Sequence, residues 1–328
     1  MYEAIITHRG QVSIIANDGN DIYNAGGVSP WRPSLKPFSF VAPKSLAEAY
    51  QVLAQAKSPG QIRPIVGGTD LVDQMRVNRR TPSIVMDIKH IPEMKRLEWI
   101  RGEGLHLGAA VSCTDTAAFP HVKENFPSLY ESCLLVGSTQ IQNRASVAGN
   151  IGNSSPSADT VPGLITYSAR VVVVGPKGRR EVLLEEFFTG PGQNTLGPDE
   201  IILEVMVPPP PRNSSGHYLR FIPRNEMDIA VAGVASMVAL EPRSRRCRQA
   251  RIALAAVAPT PVRARDAEAV LEGREVTADL IQEAGEAAVN ACKPISDVRG
   301  GAEYRKELVK VLTRRTLRQC MESLGQPV

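Results

Sequence analysis

The chain has 328 residues, a length typical of two domains. Its composition, 43% hydrophobic and 22% charged residues, is that of an ordinary globular protein and excludes wholesale disorder. The formal net charge of +4, with Lys and Arg scattered along the chain, is too small for a nucleic-acid-binding surface. No apolar run is long enough to span a membrane, and the N-terminus lacks the features of a secretory signal, so we expect a cytoplasmic protein.

The five cysteines are far apart in the sequence, and the five histidines are equally dispersed. A disulfide framework or a cysteine-ligated cluster needs closer spacing, and a zinc site needs grouped ligands. The sequence therefore predicts a reduced chain without a metal of its own.

The predicted elements begin after a segment, residues 1–36, that is rich in turn residues and is compatible with either a hairpin or a loose arm. Ser45 to Glu48 form a capping box, which predicts a helix from Leu46. Further along the chain, apolar patterning predicts strands at 64–66, 83–88, 105–109, 171–174 and 201–207, and helices at 71–77 and 129–136. Residues 137–162 are rich in Ser, Asn, Gly and Thr, a composition typical of a binding segment or of disorder.

Four prolines, Pro208 to Pro211, predict a boundary between domains. Beyond them, patterning predicts strands at 229–240 and 251–257, and then helices at 264–271, after Thr277, and at 302–321. We therefore divide the chain into an N-terminal extension of unassigned role (1–36), a first domain (37–212) and a second domain (213–328). The second domain is predicted to be α+β, with strands first and helices after.

Two glycine-containing segments, 64–71 and 146–159, are candidates for ligand binding. Glycine lets the backbone approach a ligand closely, and successive N–H groups in such turns bind anions. Thr69, Ser146 and Asn150 add side-chain donors, and Asp159 can accept hydrogen bonds from a ribose or an adenine. Neither segment matches the Rossmann or P-loop fingerprint. The residues thus indicate a nucleotide or diphosphate cofactor of unspecified type. The alternative is that the glycines form turns that only connect secondary-structure elements and bind no ligand.

At this level of detail the sequence resembles the FAD-binding (medium) subunits of molybdenum hydroxylases, which include carbon monoxide dehydrogenase medium chains and the FAD domain of xanthine dehydrogenase. The first FAD loop of that family resembles residues 65–71 (IVGGTDL), and the second resembles 144–159 (RASVAGNIGNSSPSAD). Further similar motifs lie at 200–205, 224–230, 258–263 and 297–305. In this order they cover most of the chain from about residue 38 to 320.

The resemblance implies an α+β fold. A p-cresol methylhydroxylase-type FAD-binding domain would be followed by a smaller α+β C-terminal domain with an antiparallel sheet and helices. FAD would bind non-covalently. The residues expected around the pyrophosphate are Ile65, Val66, Gly67, Gly68, Thr69, Asp70, Leu71, Ser146, Val147, Ala148, Gly149 and Asn150. Asn153 and Asp159 are expected to contact the phosphate, ribose or flavin, and Leu203 and Arg220 match positions near the isoalloxazine ring.

Three features depart from the family pattern. Ala148 stands where the second loop commonly has a glycine, which leaves the backbone φ at this position open to question. Arg220 stands where a lysine is common, which keeps the charge and changes the geometry. The extension 1–36 has no counterpart in the usual start of these chains. Glu226 and Asp228 are secondary candidates for ordering the flavin edge, and the charged residues 297–305 are better explained as structural.

The resemblance further implies an oxidoreductase subunit that transfers electrons and carries no catalytic residue for substrate chemistry. FAD would receive electrons from [2Fe–2S] clusters in a small partner chain and pass them to NAD or another acceptor. Molybdopterin would lie in a large partner chain, and the assembly is expected to be a dimer of heterotrimers. The alternatives are a stand-alone FAD-dependent oxidoreductase of the same fold and a scaffold that has lost its cofactor.

Overall fold

The structure is a computed structural model that describes residues 35–328 and the short segments 4–6 and 12–14. Most of the extension 1–36 therefore lies outside the described residues. The strands of the described chain are β1 (Ala4–Ile6), β2 (Val12–Ile14), β3 (Phe38–Val41), β4 (Ile62–Ile65), β5 (Ile84–Asp87), β6 (Leu97–Ile100), β7 (Gly104–Gly108), β8 (Arg170–Gly175), β9 (Gly178–Leu183), β10 (Phe188–Gly190), β11 (Gln193–Asn194), β12 (Ile201–Val207), β13 (Ser214–Phe221), β14 (Ala232–Leu240), β15 (Cys247–Ala255) and β16 (Val262–Arg263).

The α-helices are α1 (Leu46–Leu53), α2 (Leu71–Arg76), α3 (Cys113–Ala118), α4 (Pro120–Asn125), α5 (Pro127–Leu135), α6 (Thr139–Gln142), α7 (Val147–Asn153), α8 (Thr160–Thr166), α9 (Leu184–Phe187), α10 (Arg265–Leu271), α11 (Ala278–Ala288) and α12 (Ala302–Ser323). Short 3-10 helices span Ile88–His90, Pro92–Lys95 and Val289–Ala291. In the part that the structure describes, no helix combines the length and apolar character needed to cross a bilayer.

Two sheets organise the first domain. One has the strand order β1-β2-β3-β5-β4, in which β5 pairs in parallel with both β3 and β4. The other is antiparallel, with the order β6-β7-β12-β8-β9. Strand β8 is a run of four valines that are all buried, as expected for a strand covered on both faces.

The second domain is a four-stranded antiparallel sheet, in the order β13-β14-β15-β16, with α10, α11 and α12 after it in sequence. Every residue of its strand β14 is buried. Val234 and Val238 pack into the core beneath the helices, whereas Met237 and Ala239 join the core of the first domain. Because successive side chains alternate between faces, β14 belongs to two cores at once and joins the two domains through a continuous packed interface.

Local sequence signals explain several element boundaries. The hydroxyl of Ser45 accepts a hydrogen bond from the Glu48 N–H at 3.2 Å, so the predicted capping box forms. The Glu48 carboxylate accepts from the N–H of Lys44, one residue earlier than in the standard motif. Thr277 caps α11 in the same way, through the N–H of Leu280 at 3.2 Å.

Candidate functional site

The first glycine segment connects β4 to α2 at the mouth of a cavity. Gly68 has a φ of +72°, a conformation that residues with a side chain rarely adopt. Among the described residues, the N–H groups of Gly68 and Thr69 find no hydrogen-bond acceptor. The Lys89 ammonium donates to the carbonyl of Val66 at 2.9 Å and to the Asp87 carboxylate at 2.6 Å. Lys89 therefore fixes the carbonyl side of the loop, and the N–H groups of Gly68 and Thr69 are available to bind an anion.

The second segment is a helix start and not a glycine turn, which corrects the sequence-based expectation. The hydroxyl of Ser146 caps α7 by accepting from the Gly149 N–H at 3.0 Å. Ala148 is buried in the first turn of this helix and does not have a positive φ. Its Cβ is therefore compatible with the backbone, and the absence of a glycine at this position introduces no strain. Residues 137–162, whose composition is typical of a binding segment or of disorder, contain α6, α7 and the first three residues of α8.

The two segments approach each other most closely at Gly67. A Cβ atom built on Gly67 would lie 2.0 Å from the carbonyl oxygen of Arg144 and 2.9 Å from the N of Ala145. Only a glycine allows the two backbones to come this close. The Gln74 amide also donates to the Asn153 side-chain oxygen at 2.8 Å, which ties α2 to α7. The two candidate loops thus form one continuous wall.

This wall lines a cavity of about 740 Å³, within the range of small-molecule and cofactor sites. All but two of the predicted site residues line it, namely Ile65, Val66, Gly67, Gly68, Thr69, Asp70, Leu71, Ser146, Ala148, Gly149, Asn150, Asn153, Asp159 and Arg220. Val147 is instead buried in the core of the first domain. Leu203 packs against the same core beside an irregularity in β12, and its neighbours Ile201 and Ile202 line the cavity in its place.

A buried ion pair between the two domains lies in the cavity. The Arg220 guanidinium donates to one oxygen of Asp159 at 2.6 Å, and the Tyr218 hydroxyl donates to the other at 2.8 Å. Burial raises the pKa of Asp159 to about 6, and Arg220 and Tyr218 oppose this shift. The Nε atom of Arg220 is buried without a partner among the described residues. A polar ligand in the cavity could satisfy this donor.

Other charged groups line the cavity as well. Arg63 and Arg80 form no ion pair with a carboxylate within residues 35–328. Burial, and then the neighbouring charge of Arg80, lowers the pKa of the Arg63 guanidinium. Asp228, one of the secondary candidates, lines the cavity and accepts from Arg224 at 3.1 Å. The unpaired arginines add positive potential to a cavity suited to an anionic ligand.

Sequence reasoning missed Tyr218 and Lys89. Tyr218 was missed because no strand was predicted over 214–221, at the start of the second domain. On a strand, residues two apart share a face, so the prediction for Arg220 would have included Tyr218. No sequence signal identifies Lys89, because its contact with Val66 depends on the pairing of β4 with β5.

Comparison with known proteins agrees with this geometry. The family described as the FAD binding domain in molybdopterin dehydrogenase matches residues 36–210, and the CO dehydrogenase flavoprotein C-terminal domain matches 217–320. The chain belongs to this family of flavoprotein subunits.

Among its relatives, the carbon monoxide dehydrogenase medium chain of Hydrogenophaga pseudoflava is 32% identical over 85% of this chain and 96% of its own length. The nicotinate dehydrogenase FAD-subunit of Eubacterium barkeri is 30% identical over 88% and 98%. A solved structure of the Hydrogenophaga pseudoflava carbon monoxide dehydrogenase superposes with a TM-score of 0.82 at 31% identity, covering 88% of this chain and 98% of the matched chain.

The described residues fit FAD, the cofactor of this family. The free N–H groups of the first loop suit phosphate oxygens, and the Ser146-capped start of α7 faces the same cavity. The unpartnered Nε of Arg220 offers a further donor. The fold class predicted from the sequence, a p-cresol methylhydroxylase-type FAD-binding domain followed by a smaller α+β domain, is confirmed.

Proposed function

We propose that this chain is an electron-transfer subunit that binds FAD non-covalently in the cavity between its two domains. The diphosphate would be held between the first loop and the start of α7, with N–H donors from Gly68 and Thr69 on one side and from α7 on the other. When bound, FAD supplies a ring that accepts electrons singly and releases them in pairs. The observation that carries this proposal is the contact of Gly67 with Arg144, which brings both loops to one cavity.

The remaining roles follow from position in the cavity. The Asn150 side-chain oxygen accepts from the Thr160 hydroxyl at 2.8 Å, which leaves its amide group available to the ligand. Asp159 orients Arg220, whose positive charge would face the redox-active isoalloxazine ring of the cofactor. We do not extend a role near the flavin to Leu203, because it does not line the cavity.

The relatives named as dehydrogenase medium chains and FAD subunits support a place in a larger assembly. In our proposal, a small chain with [2Fe–2S] clusters delivers electrons, and a large molybdopterin-binding chain oxidises the substrate. Electrons would leave for NAD or another acceptor. The proposed assembly is a dimer of heterotrimers, with domain limits in this chain at 37–212 and 213–328.

The test uses the isolated chain and a separately purified small chain. We expect the isolated chain to bind one FAD per chain and to oxidise no small molecule by itself. Adding a pre-reduced, desalted small chain should bleach the flavin absorption, whereas the oxidised small chain should leave it unchanged. A folded chain that does not bind FAD would contradict the proposal, and so would turnover of a small molecule by the chain alone.

A further inference from the structure

A carboxylate remote from the cavity holds the strand that carries Tyr218 and Arg220. Strand β13 is an edge strand, and edge strands present backbone N–H groups with no partner strand. Glu131, on α5 of the first domain, accepts from the backbone N–H of Tyr218 at 2.7 Å. Its other oxygen lies 2.6 Å from the Nδ1 of His217. One side chain of the first domain therefore binds both the backbone and a side chain of β13.

The histidine connects this contact to the last helix, α12. The Nε2 of His217 lies 2.8 Å from the hydroxyl of Ser323, in the last turn of α12. The side chain of His217 is 15% exposed and that of Glu131 is 30% exposed. Because both side chains are partly buried, water screens this hydrogen bond less than it would at an exposed site.

The first domain consequently fixes Tyr218 both at its backbone and at its side-chain hydroxyl. Its backbone N–H is bound by Glu131, and its hydroxyl is bound by Asp159. Arg220 lies two residues further along, on the same face of the strand, and binds the other oxygen of Asp159. Strand β13 pairs with β14 along its length, and two carboxylates of the first domain, Asp159 and Glu131, bind its residues 217–220. Glu131 is the one of the two that lies outside the cavity.

We propose that Glu131 is a positioning residue for the cofactor: by fixing the edge of β13, it sets the place of Arg220 against bound FAD. This inference rests on the proposed function, because it requires FAD in the cavity. It adds a residue that does not line the cavity and that acts only through the strand. Removing the carboxylate would release the N–H of Tyr218 and the side chain of His217 together.

The experiment is a double-mutant cycle on the full chain, using Glu131→Ala, Arg220→Ala and both together. We expect Glu131→Ala to raise the dissociation constant of FAD about tenfold, the loss typical of removing a charge-assisted hydrogen bond. Because the effect passes through Arg220, the double variant should bind FAD no more weakly than Arg220→Ala alone. The visible absorption of bound FAD should shift in Glu131→Ala in the same direction as in Arg220→Ala.

Two further variants make the result specific. Glu131→Gln retains an oxygen for the N–H of Tyr218, so it should restore most of the affinity. Glu124→Ala removes an exposed carboxylate from α4 of the same domain and should match the wild type. If Glu131→Ala does not fold, Glu131→Asp, whose carboxylate is one methylene further from β13, takes its place in the cycle.

Additive losses in the cycle, or wild-type affinity and absorption in a folded Glu131 variant, would overturn the inference. Either result with a wild-type chain that binds FAD leaves the proposed function standing. Failure of the wild-type chain itself to bind FAD would refute the proposed function first.

Discussion

Replacing Gly67 by alanine tests how closely the two cofactor loops must approach each other. The new Cβ would lie 2.0 Å from the carbonyl oxygen of Arg144, whereas Cβ contacts shorter than 3.0 Å are essentially never observed. The loops must then separate by about 1 Å, which displaces N–H donors from the diphosphate. We expect the dissociation constant of FAD to rise by about tenfold or more, as for the loss of a charge-assisted hydrogen bond. The FAD-free chain should also lose about 1–3 kcal/mol of stability, as overpacked sites do.

Gly149→Ala provides the matched comparison. A Cβ on Gly149 contacts only the Ser146 hydroxyl, at 3.0 Å, and otherwise faces the cavity that this residue lines. Alanine is favoured over glycine within a helix by about 0.5–1 kcal/mol, which offsets the tight contact with the Ser146 hydroxyl, so the FAD-free chain should keep its stability. Affinity for FAD should nevertheless fall, because the methyl group takes space next to the diphosphate.

The assays are urea unfolding of the FAD-free chain and fluorescence titration with FAD. Both variants should bind FAD more weakly, and only Gly67→Ala should destabilise the FAD-free chain. A Gly67→Ala chain with the stability and the FAD affinity of the wild type would refute the reasoning.

Three further predictions concern single side chains. Because burial raises the pKa of Asp159 to about 6, the folded state binds a proton more tightly than the unfolded state does, and the stability from this group falls as pH rises toward 6. The difference in unfolding free energy between the FAD-free wild type and Asp159→Asn should therefore shift in favour of the wild type by roughly 1 kcal/mol between pH 7 and pH 5, and parallel pH profiles would contradict this. Ser146→Ala removes the cap of α7 and should cost about 1 kcal/mol in urea unfolding, with weaker FAD binding. Lys89→Met frees the carbonyl of Val66 and should weaken FAD binding about fivefold in the fluorescence titration, the loss of one modest hydrogen bond.

Local signals predicted much of the chain. The capping box at Ser45 predicted α1, and apolar patterning predicted β8, β12 and α12 to within a few residues, because these elements depend on short-range patterns. The helices within 137–162 were not predicted, for a physical reason. Its small polar residues have little apolar periodicity, and its helices are stabilised by Ser146 capping and by burial of Ile151 and Leu164, which are not local patterns.

The same contrast between local patterns and long-range contacts applies to the candidate site. The two glycine segments could be located from the sequence, because glycines and small polar residues mark close backbone approach. Their contact through Gly67 and Arg144 could not be predicted, since it depends on the packing of two distant segments. The ion pair of Asp159 with Arg220 crosses between domains, and it needs β13 as a strand, which the prolines before it obscured.

The most direct test of the central claim is a crystal structure of the chain with FAD. We expect the diphosphate between the two loops, with phosphate oxygens within hydrogen-bond distance of the N–H groups of Gly68 and Thr69 and of the first turn of α7. FAD bound with its diphosphate elsewhere, or loops that remain in contact only with protein, would contradict the account.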